Sequence, residues 1–435
     1  MAGRDGHLPD VYALTGGPVW TGETVMPGGT VLVRDGCIAA CGPEAATGLD
    51  VPIIDVGGRL IVPGFVCGHH HFYSALATGC ATRPATCFTE VLEHMWWLLD
   101  ASMTLNDVRL SARWSLTQCA RNGVTTVLDH HASYGAIAGS LEALADEVDA
   151  AGLSAVLCFE TSNRNGCAAA EQSIAENLDF TPRERVKKLF GLHASFTLDD
   201  ALLARIAEVA PPELGFHVHC AEDLVDVERS GGSVIERFAR FGILRPATLL
   251  IHGVHLTADD RRQVAESGAT IVHCVESNLH NGVGIMDIVA ALSDGVTLAA
   301  GTDGMHSSMP RSYAAAYLAV RNRHGSPAVG FAETQRMYDT TQAMAGRYFN
   351  DLTGRLEPGT RADIVVTGYR PHTPVTDENV WAHMLYGVPA APVYATIAGG
   401  QAVYVDGRVP WLDENALAVE CNAAATALWA RMGGR

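Results

Sequence analysis

In the middle of the chain, short runs of apolar residues alternate with longer amphipathic segments. The apolar runs are continuous, which is typical of parallel strands buried on both faces. The amphipathic segments, for example residues 140–152, 199–211 and 257–268, have the spacing of helices that cover a sheet. Eight apolar runs end in polar residues: "IVPGFVCGHHH", "VTTVLDHH", "LSAVLCFET", "KLFGLHAS", "LGFHVHCAE", "ATLLIHGVHL", "ATIVHCVESN" and "VTLAAGTDG". This order predicts eight β/α units.

Eight such units, with polar residues at the carboxyl ends of the strands, predict an α/β fold. The favoured form is a (β/α)8 TIM-like barrel over residues 61–356, whose active site lies at the carboxyl ends. A doubly wound open sheet is the alternative arrangement of the same units. The excursion over residues 74–120 is expected near the mouth, with an amphipathic helix at "EVLEHMWWLLD".

The two ends of the chain have a different pattern. Short strand-like runs bounded by Gly and Pro fill the first sixty residues, as in "GTVLVRDGCIAACG". Similar runs return near the end, in "RADIVVTGYRP" and "VYATIAGGQAVYVDGRV". Both ends are therefore predicted to be rich in β-structure.

Composition limits the partners of this protein. The 435 residues are 48% hydrophobic and 18% charged, as in a large globular protein. The net charge is −18 and the basic residues are scattered, which argues against nucleic acid or a membrane surface as a partner. The first residues lack a signal-peptide pattern, and no segment is long and apolar enough to span a membrane. Eleven cysteines without framework spacing are expected to be reduced thiols in a cytoplasmic protein, and a homodimer is expected from the general frequency of two-fold assemblies.

Histidines gather at the ends of the predicted strands. Alternate residues of a strand share a face, so His69 and His71 are expected to point together into the barrel mouth, and His70 away from it. On the fifth strand His217 and His219 share a face, and spacing alone does not choose between them. Two imidazoles on one face are the beginning of a metal site for Zn²⁺ or Fe²⁺.

Three more residues at strand ends are suited to proton transfer or substrate binding. Glu222 lies just beyond the fifth strand, where a carboxylate can move protons without binding the metal. His252 ends the sixth strand, with His255 in the loop after it, and Asp303 ends the eighth. A metal lowers the pKa of bound water to about 7, and a neighbouring aspartate can accept the proton.

As a set, these motifs resemble those of the amidohydrolase superfamily. "PGFVCGHHH" resembles its PG-[LF]-[IV]-x-x-H-x-H strand, "HCAE" its H-x-x-E strand and "LIHGVHL" its sixth-strand histidine. "HCVESN" resembles its H-x-x-x-S-N segment and "GTDG" its strand-eight aspartate. The chain is similar to the one-metal aminohydrolases, which include guanine deaminase, adenosine-type deaminases and triazine chlorohydrolases. It most resembles the SsnA-like aminohydrolases, in "HHHFYS", "DHHAS", "GLHASFTL", "ESNLHNGVG" and "TDGMHSSM".

The resemblance implies a domain organisation and a set of site residues. "LEPGTRADIVV" resembles the return to the family's small β-sandwich, although Thr360 stands where a lysine is usual. The implied domains are a β-sandwich from residues 1–60 and 357–415, the barrel over 61–356, and a C-terminal helix over 416–435. The implied metal ligands are His69, His71, His219 and Asp303. The implied catalytic residues are Glu222, His252 and Asp303, and the implied substrate contacts are His193 and His131.

Two departures from the family bear on the metal and the substrate. Two-metal relatives often bridge their metals with a carboxylated lysine at the end of strand four, but here Lys187 and Lys188, the only lysines, lie at its beginning. We therefore expect one divalent metal ion, Zn²⁺ or Fe²⁺. Guanine deaminases have a purine-reading glutamine where this chain has Ser74, which argues against unmodified guanine. Cys67 stands where relatives often have Asn or Asp, at a position that is not a ligand.

These features predict a metal-dependent hydrolytic deaminase that converts the C–NH2 group of a cyclic amidine or guanidine heterocycle to C=O and releases ammonia. The substrate would be a purine-, pterin- or cyclic-guanidine-like molecule. A chlorohydrolase or cyclic-amide hydrolase with the same one-metal site is the main alternative, and a non-catalytic metal-binding relative is the remote one. Further candidates for the pocket are Glu160, Arg164, Glu276, Asn278 and His306, with Trp96 and Trp97 as ring-covering or core residues.

Overall fold

The computed structural model describes residues 7–349 and 354–433. Parts of three predicted segments lie outside the described residues. These parts are residues 1–6 of the predicted sandwich, 350–353 of the predicted barrel and 434–435 of the predicted C-terminal helix.

From residue 7 to residue 63, the chain forms seven short strands. They are β1 (Val11–Thr15), β2 (Val19–Trp20), β3 (Val25–Met26), β4 (Thr30–Arg34), β5 (Cys37–Gly42), β6 (Ile53–Asp55) and β7 (Ile61–Pro63). Four of them form a sheet with the order β5-β4-β1-β6, in which only the β1–β6 pair is parallel. The predicted β-rich N-terminal region is therefore present.

The central region carries the eight predicted parallel strands. The strands of this region are β8 (Phe65–His70), β9 (Val124–His131), β10 (Ser154–Phe159), β11 (Val186–Lys188), β12 (Phe190–Ala194), β13 (Phe216–Cys220), β14 (Leu249–His252), β15 (Thr270–His273) and β16 (Thr297–Ala300). The short β11 is an addition to the prediction. The first predicted run is divided at Gly64. Before this residue, β7 pairs with β2 and with the C-terminal strand Ile364–Thr367, whereas β8, which follows it, pairs with β9.

The central strands form two parallel sheets with the orders β11-β10-β9-β8 and β12-β13-β14-β15-β16. Neighbours in each sheet follow chain order, whereas a doubly wound sheet reverses its order around the first strand. Isolated parallel bridges join His70 to Asp303 and Thr161 to Leu192. The carboxyl ends of all these strands therefore lie on one side.

Helices follow the strands and cover them. They are α1 (Phe88–Val91), α2 (Trp97–Ser102), α3 (Leu105–Arg121), α4 (Ser140–Ala151), α5 (Cys167–Asp179), α6 (Asp200–Val209), α7 (Leu224–Arg229), α8 (Val234–Arg240), α9 (Ala258–Ser267), α10 (Val275–His280), α11 (Ile288–Ser293), α12 (Met309–His324), α13 (Phe331–Phe349), α14 (Val380–Ala382) and α15 (Glu414–Gly433). A π-helical turn, Leu92–Trp96, joins α1 to α2, and a second one covers His383–Gly387. Shorter 3-10 turns cover Phe72–Ala77, Ser195–Thr197 and Val388–Ala390.

Glycine allows a close approach between β8 and β16. A Cβ at Gly301 would lie 2.8 Å from the backbone nitrogen of His69, and a Cβ at Gly68 would lie 2.7 Å from the carbonyl oxygen of Ala300. Neither contact is sterically acceptable, so these two glycines let the strand that carries His69 lie directly beside the strand that leads to Asp303.

The end of the chain returns to the N-terminal strands. The last strands are β17 (Ile364–Thr367), β18 (Val393–Ala398) and β19 (Gln401–Val405), in a sheet with the order β19-β18-β17-β7-β2-β3. Apolar residues from both ends form a core of their own, which includes Tyr12, Val31, Ile364 and Ile397. Helix α15 packs on α3, where Arg431 forms an ion pair with Asp107.

Two expectations from composition can be compared with the structure. All eleven cysteines are free thiols, as the absence of framework spacing predicted. Within residues 7–349 and 354–433, no helix has the length and apolar character needed to cross a bilayer.

Candidate metal centre and active site

Two histidines at the end of β8 meet the aspartate that follows β16. The Nε2 atoms of His69 and His71 lie 3.3 and 2.9 Å from Oδ1 of Asp303. His70 turns the other way, with its Nε2 atom 3.0 Å from Oγ of Ser307. The strand alternation expected from the sequence is present, and it brings two imidazoles to one carboxylate oxygen.

Other groups fix the orientation of both imidazole rings. Nδ1 of His69 lies 2.8 Å from Nε2 of His217, and Nδ1 of His71 donates to the carbonyl oxygen of His130 at 2.6 Å. This leaves the Nε2 lone pair of His71 directed at Asp303. Nε2 of His69 is buried and lacks a hydrogen-bond partner. Such an arrangement is usual for ligating histidines, whose second ring nitrogen is held by an outer partner.

The structure distinguishes the two histidines of β13. His217 lies behind His69 as a hydrogen-bond partner, whereas His219 lies in the wall of the central cavity. Potential ligand atoms of His69, His219 and His252 all lie within 4.8 Å of one another, and the same limit holds for His69, His71 and Asp303. The four predicted ligands therefore surround one small space.

His252 and Glu222 lie next to this space and to each other. Nε2 of His252 is 3.4 Å from Oε2 of Glu222, and Nδ2 of Asn281 donates to Oε1 of Glu222 at 3.1 Å. Nδ1 of His252 accepts from Nδ2 of Asn278 at 2.9 Å. With Nδ1 as an acceptor, the proton of the neutral ring is on Nε2, the atom that faces Glu222.

Two consecutive residues of α10 hold the groups that would carry protons. Ser277 donates from Oγ to Oδ2 of Asp303 at 2.5 Å, so Oδ1 remains directed at the two histidines. Asn278 holds His252 as described above. The sequence offered Asn278 as a further candidate for the pocket and did not single out Ser277, although both belong to the "HCVESN" motif.

The backbone is strained at the same place. Non-glycine residues with positive φ include Ala221 (46°), His252 (75°) and Asp303 (55°). Such conformations cost on the order of 1–3 kcal/mol each and are often found at functional sites. Here they occur at three carboxyl ends of strands, and they direct the chain out of the sheet at the point where the site lies.

The charges of the site are strongly coupled. Burial, and then the nearby charge of Asp303, raise the pKa of Glu222 well above its usual range, which favours the protonated form of its carboxyl group. Burial opposes ionisation of Asp303, but the adjacent imidazoles of His71 and His69 outweigh it and hold the pKa of Asp303 well below its usual range. Burial lowers the pKa of His252 to about 4, so this ring is neutral at neutral pH. A proton donor and a proton acceptor thus lie in one site.

The site opens into a cavity. Its polar wall includes His71, His219, Glu222, His252 and Asp303. Its apolar wall comes largely from the segment around α1 and α2, with Phe88, Leu92, Trp96, Trp97 and Phe196. Trp96 and Trp97 therefore line the cavity, and an apolar wall opposite polar groups is suited to a flat heterocycle.

The structure separates the two predicted substrate contacts. His193 lines the cavity, with Nδ1 held by Oγ1 of Thr197 at 2.8 Å. His131 is fully buried outside the cavity wall, with its Nε2 atom 2.8 Å from Oγ of Ser133. This placement gives His131 no direct access to a ligand.

The remaining rim candidates divide in the same way. Glu160 and Arg164 line the cavity. Glu276 and His306 lie outside the cavity wall and bind each other at 2.5 Å, with Arg311 as a second partner of Glu276.

Comparison with known proteins shows what this chain resembles. A sequence model of the amidohydrolase family matches residues 60–403. The chain is 30% identical to a 5-methylthioadenosine/S-adenosylhomocysteine deaminase of Nitratidesulfovibrio vulgaris, over 94% of each chain. It is 28% identical to a 5'-deoxyadenosine deaminase of Methanosarcina mazei, over 93% of this chain and 94% of the relative.

Solved structures share the fold. An adenosine deaminase from Xanthomonas campestris with bound zinc superimposes with a TM-score of 0.85 at 20% identity, over 96% of this chain and 98% of that one. The atrazine chlorohydrolase TrzN from Arthrobacter aurescens TC1, complexed with zinc, has a TM-score of 0.78 at 18% identity, over 95% and 100% of the two chains. At these identities the likeness concerns the fold alone.

Proposed function

The chain belongs to the amidohydrolase family, as a hydrolase that acts on carbon–nitrogen bonds, and we propose that it deaminates an adenosine-type nucleoside. The reaction would convert the ring C–NH2 group to C=O and release ammonia. The observation that carries this proposal is the placement of Glu222, His252 and Asp303 around one small space, with the pKa of Glu222 raised and that of Asp303 lowered. The deaminase names of both relatives support the substrate class.

The residues of the site fit a single divalent metal ion, and we propose that this ion is Zn²⁺. The observation is the buried Nε2 atom of His69, which lacks a hydrogen-bond partner and lies 3.3 Å from an aspartate oxygen. Three imidazoles and one carboxylate form a ligand set that is typical of zinc and is also suited to Fe²⁺. We propose His69, His71, His219 and Asp303 as the ligands. When bound, the metal would supply a Lewis acid that lowers the pKa of water to about 7.

The protein's own groups would then move the protons. Asp303 takes one proton from the attacking water through Oδ1, because its other oxygen, Oδ2, already accepts from Ser277. Glu222 donates its proton to the ring nitrogen beside the reacting carbon as that carbon becomes tetrahedral. His252 donates from Nε2 to the attacking oxygen and stabilises the charge that develops there.

In the second half of the reaction, the amino group leaves and the oxygen from water remains on the ring carbon. Asp303 passes its proton to the exocyclic amino group, which leaves as ammonia when the C–N bond breaks. The proton of the new hydroxyl group returns to Glu222, and the ring keeps a C=O group beside a protonated nitrogen. One water is consumed and one ammonia is released for each turnover.

The architecture around this site is also a proposal. We propose that the two parallel sheets close into an eight-stranded barrel, which the bridges at His70–Asp303 and Thr161–Leu192 support. We propose that the strands before residue 64 and after residue 356 form a separate sandwich domain, which their own apolar core supports. A homodimeric state and a cytoplasmic location stay predictions from the sequence.

Ammonia release tests the proposed function. Zinc-loaded protein would be supplied with 5'-methylthioadenosine, 5'-deoxyadenosine, adenosine, guanine, an aminopterin-type ring and a cyclic guanidine. We expect release from the adenosine nucleosides at the highest kcat/KM. No release from any of them, together with chloride release from a chlorotriazine or opening of a cyclic amide, would replace the proposal with the hydrolase alternative.

A further inference from the structure

Two segments that meet in the site are also joined outside it. Helix α10 follows β15, and the loop over residues 303–308 follows β16. Inside the site, Oγ of Ser277 on α10 donates to Oδ2 of Asp303 at 2.5 Å. Outside the cavity wall, Nε2 of His306 in the loop lies 2.5 Å from Oε2 of Glu276 on α10. The proposed reaction gives no role to this outer pair, His306 and Glu276.

The hydrogen bonds of the outer pair fix where its protons lie. The backbone nitrogen of Ser308 donates to Nδ1 of His306 at 3.0 Å, so the ring proton is on Nε2 and is donated to Glu276. The other oxygen of Glu276, Oε1, accepts from Nε of Arg311 at 2.8 Å. Burial opposes ionisation of Glu276, but His306 and Arg311 outweigh it and hold the pKa of Glu276 below its usual range. The contact between His306 and Glu276 is therefore a charge-assisted hydrogen bond.

The outer pair is shielded from solvent. The side chains of His306 and Glu276 are 14% and 15% exposed, whereas that of Arg311 is 60% exposed. Exposed ion pairs contribute little, but a shielded charge-assisted hydrogen bond can hold two elements in one arrangement. We therefore expect His306, more than Arg311, to hold α10 against the loop.

The backbone at Asp303 depends on contacts made by its neighbours. Its φ of 55° lies in the left-handed region, which a non-glycine residue keeps only where the surrounding structure imposes it. Before this point, the backbone nitrogens of Thr302 and Asp303 both donate to the carbonyl oxygen of His69. After it, Oγ of Ser307 lies 3.0 Å from Nε2 of His70. The loop is thus anchored to β8 on both sides of Asp303.

The outer pair adds a link from this loop to α10. Glu276 directly precedes Ser277, and His306 follows Asp303 by three residues. The two segments are therefore joined at two neighbouring points, which limits how far Ser277 can move relative to Asp303. Since Ser277 occupies Oδ2 of Asp303, Oδ1 stays directed at the two proposed histidine ligands at the end of β8.

We propose that His306 and Glu276 are positioning residues, which keep the carboxylate of Asp303 oriented through Ser277. This inference rests on the proposed function, in which Asp303 is a metal ligand and the first proton acceptor. Both positioning residues lie outside the cavity wall and do not touch a ligand in the cavity. Loss of the outer pair should therefore lower kcat and the affinity for Zn²⁺, and it should leave KM nearly unchanged.

Two alanine variants break the outer pair, and a third variant restores it in part. His306→Ala and Glu276→Ala should each lower kcat by about 10- to 100-fold and weaken Zn²⁺ binding about tenfold, as is typical of groups that hold a metal ligand. KM should stay within threefold of wild type. His306→Gln keeps an N–H donor near the position of Nε2, so it should recover most of the lost kcat. Thermal unfolding would verify that each variant is folded, and either alanine variant tests the contact if the other unfolds.

The assays separate metal binding from turnover. Values of kcat and KM come from ammonia release at saturating Zn²⁺, per folded protein. Zn²⁺ affinity comes from competition with a chelating dye and needs no substrate. Unchanged kcat and Zn²⁺ affinity in the folded alanine variants would overturn the positioning role, and so would a rise in KM at unchanged kcat.

A double-mutant cycle tests whether the outer pair acts through Ser277. Ser277→Ala removes the hydrogen bond to Asp303, so the outer pair then has no side chain left to direct at that carboxylate. In this background, His306→Ala should lower kcat by less than a further threefold. The same fold loss in both backgrounds would overturn the route through Ser277.

His324→Ala is the matched control. Nε2 of His324, the last residue of α12, lies 3.2 Å from Oδ1 of Asp287, and the two side chains are 28% and 27% exposed. Asp287 caps α11, and neither residue lines the cavity. This variant also breaks a contact between histidine and carboxylate, but it should leave kcat and Zn²⁺ affinity within twofold of wild type. A loss as large as that of His306→Ala would mean that general stability, and not the outer pair, sets the activity.

The failures of the two proposals differ in appearance. Full activity and Zn²⁺ affinity in the outer-pair variants would overturn the positioning role and leave the deaminase proposal intact. Absence of ammonia from every nucleoside, with wild type included, would overturn the proposed function and the role of the outer pair in catalysis. The Zn²⁺ affinities would then still decide whether the outer pair positions Asp303.

Discussion

The contact between Asn278 and His252 gives the sharpest test of the proposed chemistry. Because Nδ2 of Asn278 donates to Nδ1 of His252, the ring proton must be on Nε2, where it can reach the attacking oxygen. Asn278→Asp replaces this donor with an isosteric acceptor and favours the opposite tautomer, with the proton on Nδ1. Asn278→Leu removes the hydrogen bond and fixes neither tautomer.

The burial of both residues and the hydrogen bond between them set the expected loss of activity in each variant. Both residues are at most 1% exposed, so loss of the 2.9 Å hydrogen bond leaves a buried nitrogen unsatisfied. That costs about 1–3 kcal/mol, or a factor of roughly 5–150. Loss of a donor to the developing charge lowers kcat by about 10²–10³. We therefore expect a larger loss from Asn278→Asp than from Asn278→Leu, although aspartate still forms a hydrogen bond.

The assay is ammonia release from the best nucleoside at pH 8, above the lowered pKa of His252, so that its ring is neutral. Values of kcat are divided by the amount of folded protein with bound metal, and KM should change little. Asn177→Asp is the control, because Asn177 is equally buried and hydrogen-bonded but contacts Phe159 and Gly191 and not the site. It should lower the melting temperature and leave kcat within a few-fold of wild type.

Which of the two variants loses more activity decides whether Asn278 controls the tautomer of His252. If Asn278→Leu loses more activity than Asn278→Asp, then Asn278 contributes only packing and a hydrogen bond. It does not control the tautomer of His252. Nitrogen-15 spectra of histidine-labelled protein would check the tautomer independently, with the His252 signal assigned by its disappearance in His252→Gln.

Further predictions concern the acid, the metal and the cavity wall. Glu222→Gln should lower kcat by about 10²–10⁴ while the melting temperature stays near that of wild type, and an unchanged kcat would exclude Glu222 as the acid. Removal of metal with a chelator should abolish ammonia release and lower the melting temperature, and added Zn²⁺ should restore both, because a ligand of the folded state stabilises it. His193→Ala should raise KM by tenfold or more, whereas His131→Phe should leave KM within threefold, since only His193 lines the cavity; equal effects on KM would contradict this difference.

Much of this fold can be predicted from the chain because its signals are local. The run "VTTVLDHH" corresponds residue by residue to β9, and strand alternation alone places His69 and His71 on one side. The division of "IVPGFVCGHHH" at Gly64 was missed, because both halves are apolar and periodicity does not register a change of sheet. It is the pairing of β7 with β17, about 300 residues later, that separates them.

The features of the site that could not be predicted depend on contacts between residues far apart in sequence. His217 and His219 are equivalent by spacing, and only the position of His69 assigns His217 to the outer role. Asn278 reaches His252 across 26 residues, and Ser277 reaches Asp303 across the same separation. His131, the last residue of β9, was predicted to contact the ligand, but its side chain turns to Ser133. Local patterns identify strand ends, and packing decides which side chains at those ends enter the cavity.

The most direct test of the account is a comparison of zinc-loaded wild type with Asp303→Asn, measured as ammonia released from 5'-methylthioadenosine. We predict that the wild type releases one ammonia for each deaminated product. We predict that the variant, with its metal content determined in parallel, releases none above the uncatalysed rate. Deamination that persists in the folded variant, or that is absent from wild type on every adenosine nucleoside, would contradict the account.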